Sequence, residues 1–345
     1  MPSVKSIKQR IKSVKNTRQI TKAMEAVSAT KMRRSQRFAL DGRPYALAAL
    51  EMLGNVTQRT EYRPKLLAER EIKRAVLVVV TSDKGLAGAF NASVLRKAEA
   101  WIAEHAQQYP VDPVRSLTTS IHDKEPKDEV DLRLSSSLKK VSSLTSNGVD
   151  IITVGKKARD YFGNRKGNVI KEFLGFGDYA EPNETKPLSD FLLKGFIAHQ
   201  WDLVEIMYTN FRTTLKQEVA EARIFPVNLE KIKQTIENII PEHGRFANTA
   251  TSYKLQATSY EYKLEPSAEV VLDTLIPHLI ETQIFHMILE SNASEHSARM
   301  VAMKNASENA GEIISELTLE YNKSRQAGIT RELTEITAGK EALEG

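Results

Sequence analysis

Asp83-Lys84-Gly85-Leu86-Ala87-Gly88 places a carboxylate, an ammonium and two glycines in one short turn. Between a strand and a helix, such a turn can offer backbone N–H groups to a phosphate. The rest of the phosphate-binding grammar is missing, because the chain has neither G-x-x-x-x-G-K-[ST] nor G-x-G-x-x-G. The lysine and hydroxyl that would hold a nucleotide and its metal are therefore not supplied. The turn reads as a tight connection, or as a partner contact through Lys84. Histidine offers no more: no H-E-x-x-H occurs, and His286 and His296 fall inside a helical pattern as packing residues. G-x-S-x-G is absent and the chain has no cysteine, which removes thiol catalysis, disulfides and cysteine metal sites. Neither catalysis nor a cofactor site is expected.

Charge is the second kind of chemistry on offer. The net charge of +5 is mild, but Met1 to Arg43 holds twelve Lys or Arg against only Glu25 and Asp41. The cluster Lys31, Arg33, Arg34 and Arg37 could bind DNA or an anionic membrane. The competing reading is a solvated face beside an acidic helix, and the stretch from Glu312 to Gly345 supplies seven Glu against four basic residues. Aromatic residues are missing from Met1 to Arg37, which weakens stacking on nucleic acid. A basic coiled-coil nucleic-acid binder remains the alternative function.

The elements that must carry these residues follow from hydrophobic spacing. With 345 residues and 41% hydrophobic content the chain can bury a core. No run of eighteen apolar residues and no signal-peptide stretch occur, so neither spanning nor export is expected. Val4, Ile7, Ile11 and Val14, then Ile20, Ala23, Met24 and Val27, step by threes and fours, predicting one long helix with its stripe on those residues. It runs over 1–57, with Pro44 as a possible kink. Residues 70–264 change grammar. Ala75–Val80 is a buried strand run, followed by a helix from Asn91 to about Gln108. Strands at 149–154, 168–173 and 202–209 alternate with helices at 156–162 and 188–199. The alternation predicts a Rossmann-like α/β domain with a parallel, covered sheet, and further strands near 216–225 and 252–264. The proline- and serine-bearing stretch 110–148 is too long for a crossover loop and reads as a solvated insertion.

From Pro266 to Gly345 the helical period returns and continues almost to the end, so the fold class is α/β with two long terminal helices that pair as an antiparallel coiled coil. The seam of the second helix steps through Leu289, Ala293, His296, Met300, Met303, Ser307, Ala310, Ile314, Leu317, Tyr321, Ser324 and Gly328. Half of it is small or polar, where a permanent dimer would place Leu, Ile or Val. The two helices differ in length, so a tip that includes Arg325 through Gly339 projects past the first helix. A lone helix of that length is marginal in water, which implies that another molecule surrounds it.

Three stretches now stand out together: "RIKSVKNTRQITKAMEAVSATKMRRSQ" (Arg10 to Gln36), "TSDKGLAGAFN" (Thr81 to Asn91) and "SARMVAMKNASENAGEIISELTLEYNKSRQAGITRELTEITAG" (Ser297 to Gly339). They resemble the gamma subunit family of the bacterial-type rotary ATP synthase. The resemblance implies a non-catalytic rotor shaft in a proton-translocating enzyme at the cytoplasmic face of the cell membrane. The shaft would turn inside a ring of alpha and beta subunits, with the α/β domain beside the epsilon subunit on the c-ring. By the same resemblance, Lys22 and Met24 lie beside the catalytic subunits' lever segment and Lys84 near that acidic segment. Arg325, Gln326, Thr330 and Glu332 are held by loops of the sleeve, Arg299 belongs to the same run, and Tyr208 faces epsilon. Two departures accompany it. The stretch 110–148 stands where the family pattern has a short turn, and the absence of cysteine argues against thiol regulation.

Overall fold

The computed structural model describes residues 3–60, 62, 64–105, 149–165, 168–177, 179–228 and 265–344. The stretch expected as an insertion and the strand expected at 252–264 lie outside them. Two units are distinguished: Lys31–Ala298, and Met1–Thr30 with Arg299–Gly345. Both terminal helices run through both units. The first, α1, is Val4–Arg59 and the last, α5, is Ala268–Glu344. Each continues through its proline, Pro44 or Pro277.

Within Lys31–Ala298 the strands are β1 (Ala75–Val80), β2 (Val149–Val154), β3 (Val169–Phe173), β4 (Leu203–Phe211) and β5 (Gln217–Phe225). They form one sheet in the order β3-β2-β1-β4-β5. Helices α2 (Phe90–His105), α3 (Lys156–Asn164) and α4 (Pro182–Ile197) connect or flank them. The first four strands are parallel, as alternation with helices requires. The fifth corrects the expectation of an all-parallel sheet: β5 is antiparallel to β4. Only Arg212 to Lys216 separate the two strands, which is enough for a hairpin and far too little for a crossover.

The strands of the sheet's centre are apolar on both faces because both are covered. Leu77, Val79, Ile151 and Met207 pack with Val94, Ala98 and Trp101 of α2 and Phe162 of α3. Their neighbours Val76, Val78, Ile152, Val204 and Ile206 face the other way. There they meet Leu188, Leu192 and Phe196 of α4, Ala46 to Val56 of α1 and Leu272 to Leu289 of α5. Alternation within one strand thus builds two cores. α4 begins earlier than its apolar spacing suggested, because a Glu181–Glu184 capping box and Pro182 start it. In this unit α1 and α5 come close where Gly42 leaves room for the His286 ring, and Tyr62 donates to the Asp273 carboxylate at 2.8 Å.

The other unit consists of the two helix ends alone, so burial there reports their pairing. On α5 the residues withdrawn from solvent include Met303, Ser307, Ala310, Ile314, Leu317, Tyr321, Ser324 and Gly328, the spacing read from the sequence, with Val301, Ala302, Ala306 and Gly311 half-buried beside them. On α1 the outcome differs. Val4, Ile7, Ile11, Val14, Thr21, Met24 and Ser28 face inward, while Ile20 is 60% and Val27 53% exposed, and Ala23 is exposed too. The expected stripe is therefore corrected at Ile20, Ala23 and Val27, while Met24 keeps its place on it. An unbroken three-four spacing carried on from Val14 passes through Thr21 and Ser28, and Ile20 and Val27 each fall one position off it. Beyond Val14 the seam takes in Thr21 and Ser28 beside Met24, while Ile20 and Val27 point outward.

Candidate functional site

The turn that could have held a phosphate is closed by its own side chains. Asp83 accepts the Lys156 N–H at 2.9 Å and the Gly175 N–H at 3.2 Å, so a carboxylate already occupies the start of α3. Thr81 Oγ1 accepts from the Ala158 N–H and donates to the Val154 carbonyl. Asn91 Oδ1 accepts the Ser82 N–H at 3.0 Å, and Ser82 Oγ donates to the Lys84 carbonyl at 2.6 Å. At α2 the Phe90 N–H goes to the Ala87 carbonyl. A phosphate would meet a carboxylate where it needs donors, and like charges repel. What the turn does present is Lys84 and Leu86, both exposed, with Leu86 at φ 64° between the two glycines. A left-handed leucine is uncommon and is held here by the bonds around it.

Lys22 is exposed on α1, and Met24 is half-buried along the seam. Arg325, Gln326, Thr330 and Glu332 are all exposed near the end of α5, with Thr330 Oγ1 donating back to the Gln326 carbonyl at 3.0 Å. A Cβ on Gly311 would lie 3.6 Å from the Arg18 guanidinium, which sets the pairing of the two ends. Counting outward antiparallel from that contact, α1 has ended by about residue 325, and at 1.5 Å per residue this leaves α5 projecting roughly 28 Å further, to Glu344. On that projection Ile329, Leu333 and Ile336 are 50%, 59% and 68% exposed. Lys22 and Met24 are separated along the pair from the Arg325 to Glu332 group by roughly 30 Å on the same rise. The candidate surface is therefore two patches on one helix pair.

Two of the expected contact residues are inside. Arg299 is buried, and Tyr208 is 5% exposed within β4. Burial raises the Tyr208 hydroxyl above the ordinary phenol range, helped by the nearby Glu290. Tyr208 thus presents no side chain to a partner in this structure. The polar residues that spacing did not single out lie on α5 beside it. Glu290 is buried, and its carboxylate accepts the Phe211 N–H at 2.9 Å. Desolvation pushes its carboxyl up to about 8. One turn away, His286 is buried and its ring is pushed down to about 4 by the same cause. The signal available in the sequence was a Glu and two Ser at positions 290, 294 and 297, on one helical face.

A helix pair with a small, polar seam and exposed patches, together with a helix-covered sheet, is the architecture of a subunit built for assembly. A family model described as ATP synthase matches residues 3–117 and 132–343. The chain belongs to that family, as an ATP synthase gamma chain, a non-catalytic stalk subunit. It is 36% identical over 346 residues to the ATP synthase gamma chain of Roseiflexus castenholzii, covering 99% of each. It is 34% identical over 345 residues to that of Pelotomaculum thermopropionicum, covering 100% of each, and 37% identical over 347 residues to that of Chloroflexus aurantiacus, covering 99% of each. In fold it resembles a chain of the Euglena gracilis mitochondrial ATP synthase rotor, with a TM-score of 0.54 at 16% identity over 94% of this chain and 98% of that one. The relatives match end to end at nearly equal length, so the stretch 110–148 is no added length against them. Between its two matched stretches the family model leaves 118–131 unmatched. The nucleic-acid reading gains no support.

Proposed function

We propose that the chain is the central rotor shaft of a rotary ATP synthase, carrying the rotation of a membrane c-ring to catalytic sites on partner beta subunits. The observation that carries this is the tip of α5, which exposes Ile329, Leu333 and Ile336 and runs on past the described start of α1. A single helix of that length is marginal in water, and a surrounding sleeve of alpha and beta subunits gives it an environment. The outward-facing Ile20 and Val27 on α1 give the sleeve a second apolar contact. A rotor must not bind one angle much more tightly than another, and it biases each catalytic subunit only by differential contact.

In this reading Lys22 and Met24 pass the lever segment of the beta subunits, Lys84 meets the acidic part of that segment, and Arg325, Gln326, Thr330 and Glu332 turn within the sleeve's loops. Arg299 serves from inside the helix pair, and Tyr208 supports the foot from within, beneath the surface offered to epsilon. The complex holds the chain at the cytoplasmic face of the cell membrane. No helix of the described residues is long and apolar enough to cross a membrane. The test is to assemble the full chain with alpha and beta subunits, immobilise the hexamer and follow a probe on the α/β domain during ATP hydrolysis. Unidirectional rotation is expected, and hydrolysis with a stationary probe overturns the proposal.

A further inference from the structure

Within the unit Lys31–Ala298, one face of α5 is bonded to the backbone of a single hairpin. Glu290 accepts the Phe211 N–H at 2.9 Å. Ser294 Oγ donates to the Thr209 carbonyl at 3.3 Å, and Ser297 Oγ donates to the Thr214 carbonyl at 2.8 Å. The spacing of four and three puts all three on one stripe of the helix, and they span roughly 10 Å along it. Their partners are the end of β4 and the turn into β5. Gln217 of β5 adds a bond from its Nε2 to Ser297 Oγ at 3.4 Å.

The hairpin itself is stiff. Its turn is closed by Thr213 N–H to the Lys216 carbonyl at 3.0 Å, and Thr213 Oγ1 accepts the Lys216 N–H at 2.9 Å. Glu218 bridges Lys216 at 2.8 Å and Arg212 at 3.4 Å. Elsewhere α5 meets this domain through Leu272, Ile276, Leu279, Ile280, Ile284 and Ile288. Apolar contact of that kind is non-directional and resists separation far more than it resists sliding or turning. Hydrogen bonds are directional and fix both register and rotation. A buried glutamate is also a costly way to fill space, since an apolar residue of like volume would pack without losing hydration.

We propose that Glu290, Ser294 and Ser297 form a torque latch, through which the β4–β5 hairpin of the foot turns the shaft helix without slip. These are positioning residues, and the inference rests on the rotor reading above. Torque applied to the α/β domain reaches α5 through three side-chain-to-backbone bonds at the level of the hairpin. From there the continuous helix carries it onward to Glu344.

The test uses the assembled alpha, beta and gamma complex. Because the chain has no native cysteine, Lys157→Cys on exposed α3 attaches a bead to the foot alone. The angular variance of the bead during catalytic pauses reports the compliance between foot and sleeve. In E290L/S294A/S297A this variance should rise at least about twofold as directional bonds are lost, while bulk ATP hydrolysis without a bead stays at the wild-type rate. E290Q keeps an acceptor for the Phe211 N–H and should return the variance to wild type when the two serines are present. Unchanged variance in an assembled triple variant overturns the latch. Should the triple variant fail to assemble, S297A alone decides in the same way, by a raised or an unchanged variance. A wild-type complex that hydrolyses ATP without any rotation defeats the rotor reading instead, and so is told apart from failure of the latch.

Discussion

At the scale of single residues, the space around a glycine separates positions that can change from those that cannot. A Cβ on Gly155 would lie 2.2 Å from the Thr81 carbonyl oxygen, at φ 91°. Neither backbone can yield without breaking the bond from the Thr81 N–H to Val154. Gly155→Ala should destabilise by about 3 kcal/mol or more, strain and overlap together. A Cβ on Gly328 would meet nothing within 4 Å, so Gly328→Ala should add about 1 kcal/mol of helix stability to α5. Paired thermal melts check both, and equal shifts in the two variants would contradict the packing. Glu290 supplies a pH signature. Its folded pKa is raised to about 8 by burial, so the folded state holds a proton that the unfolded state releases. That contribution to stability is complete below the ordinary carboxylate range and is lost as pH rises toward about 8. Glu290→Gln should flatten this loss, amounting to a few kcal/mol at most between about pH 5 and pH 8. Urea midpoints at several pH values measure it, and parallel profiles for wild type and variant would count against it. His286 works from the other side: burial depresses its ring to about 4, so stability falls as pH drops from about 6.5 through that value.

Among elements, the helix pair shows why a seam is only partly legible. On α5 the residues Met303 to Gly328 could be placed by counting, since the heptad spacing survives even where its residues are small. On α1 the same count was overruled by hydrophobicity. Ile20 and Val27 look like seam residues and face solvent, while Thr21 and Ser28 look like surface and face inward. A hydrophobic period identifies the buried face only when the partner demands apolar contact, and a seam that also holds Ser307 and Gly311 does not. The latch on α5 was missed for a related reason, because Glu290 reads as an interruption until the backbone of β4 is seen to bond it. The parallel strands were legible from buried runs of Val and Ile, whereas the direction of β5 depended on a five-residue turn. The same reasoning predicts what the tip is for. Residues 329–340 are exposed throughout, so deleting residues 329–345 should leave the melting temperature of the free chain unchanged within about 1 °C, as expected when little apolar area is lost. Its affinity for the alpha and beta hexamer should fall. A large drop in melting temperature would show that the tip packs on its own chain.

For the whole molecule the decisive question is whether the surfaces of the two units change partners during a cycle. Lys84 is exposed on a turn whose neighbouring polar groups, Asp83, Ser82 and Asn91, are bonded within the domain. The turn is therefore a rigid mount, and under the rotor proposal it brings Lys84 to an acidic segment at one angle and away from it at the next. Since the chain has no native cysteine, Lys84→Cys can be paired with one cysteine in the acidic lever segment of a beta subunit. A disulfide forms under oxidation if the two Cα atoms come within about 7 Å. A static scaffold tolerates such a bond, but a rotor tied to one of three equivalent subunits cannot visit the others. Multisite ATP turnover should stop as the bond forms and return on reduction, with nucleotide binding by the hexamer retained throughout. Full turnover with the cross-link quantitatively in place would refute rotation as this chain's work. A pair that never cross-links would refute only the position given to Lys84, because the shaft could still turn with its foot facing elsewhere.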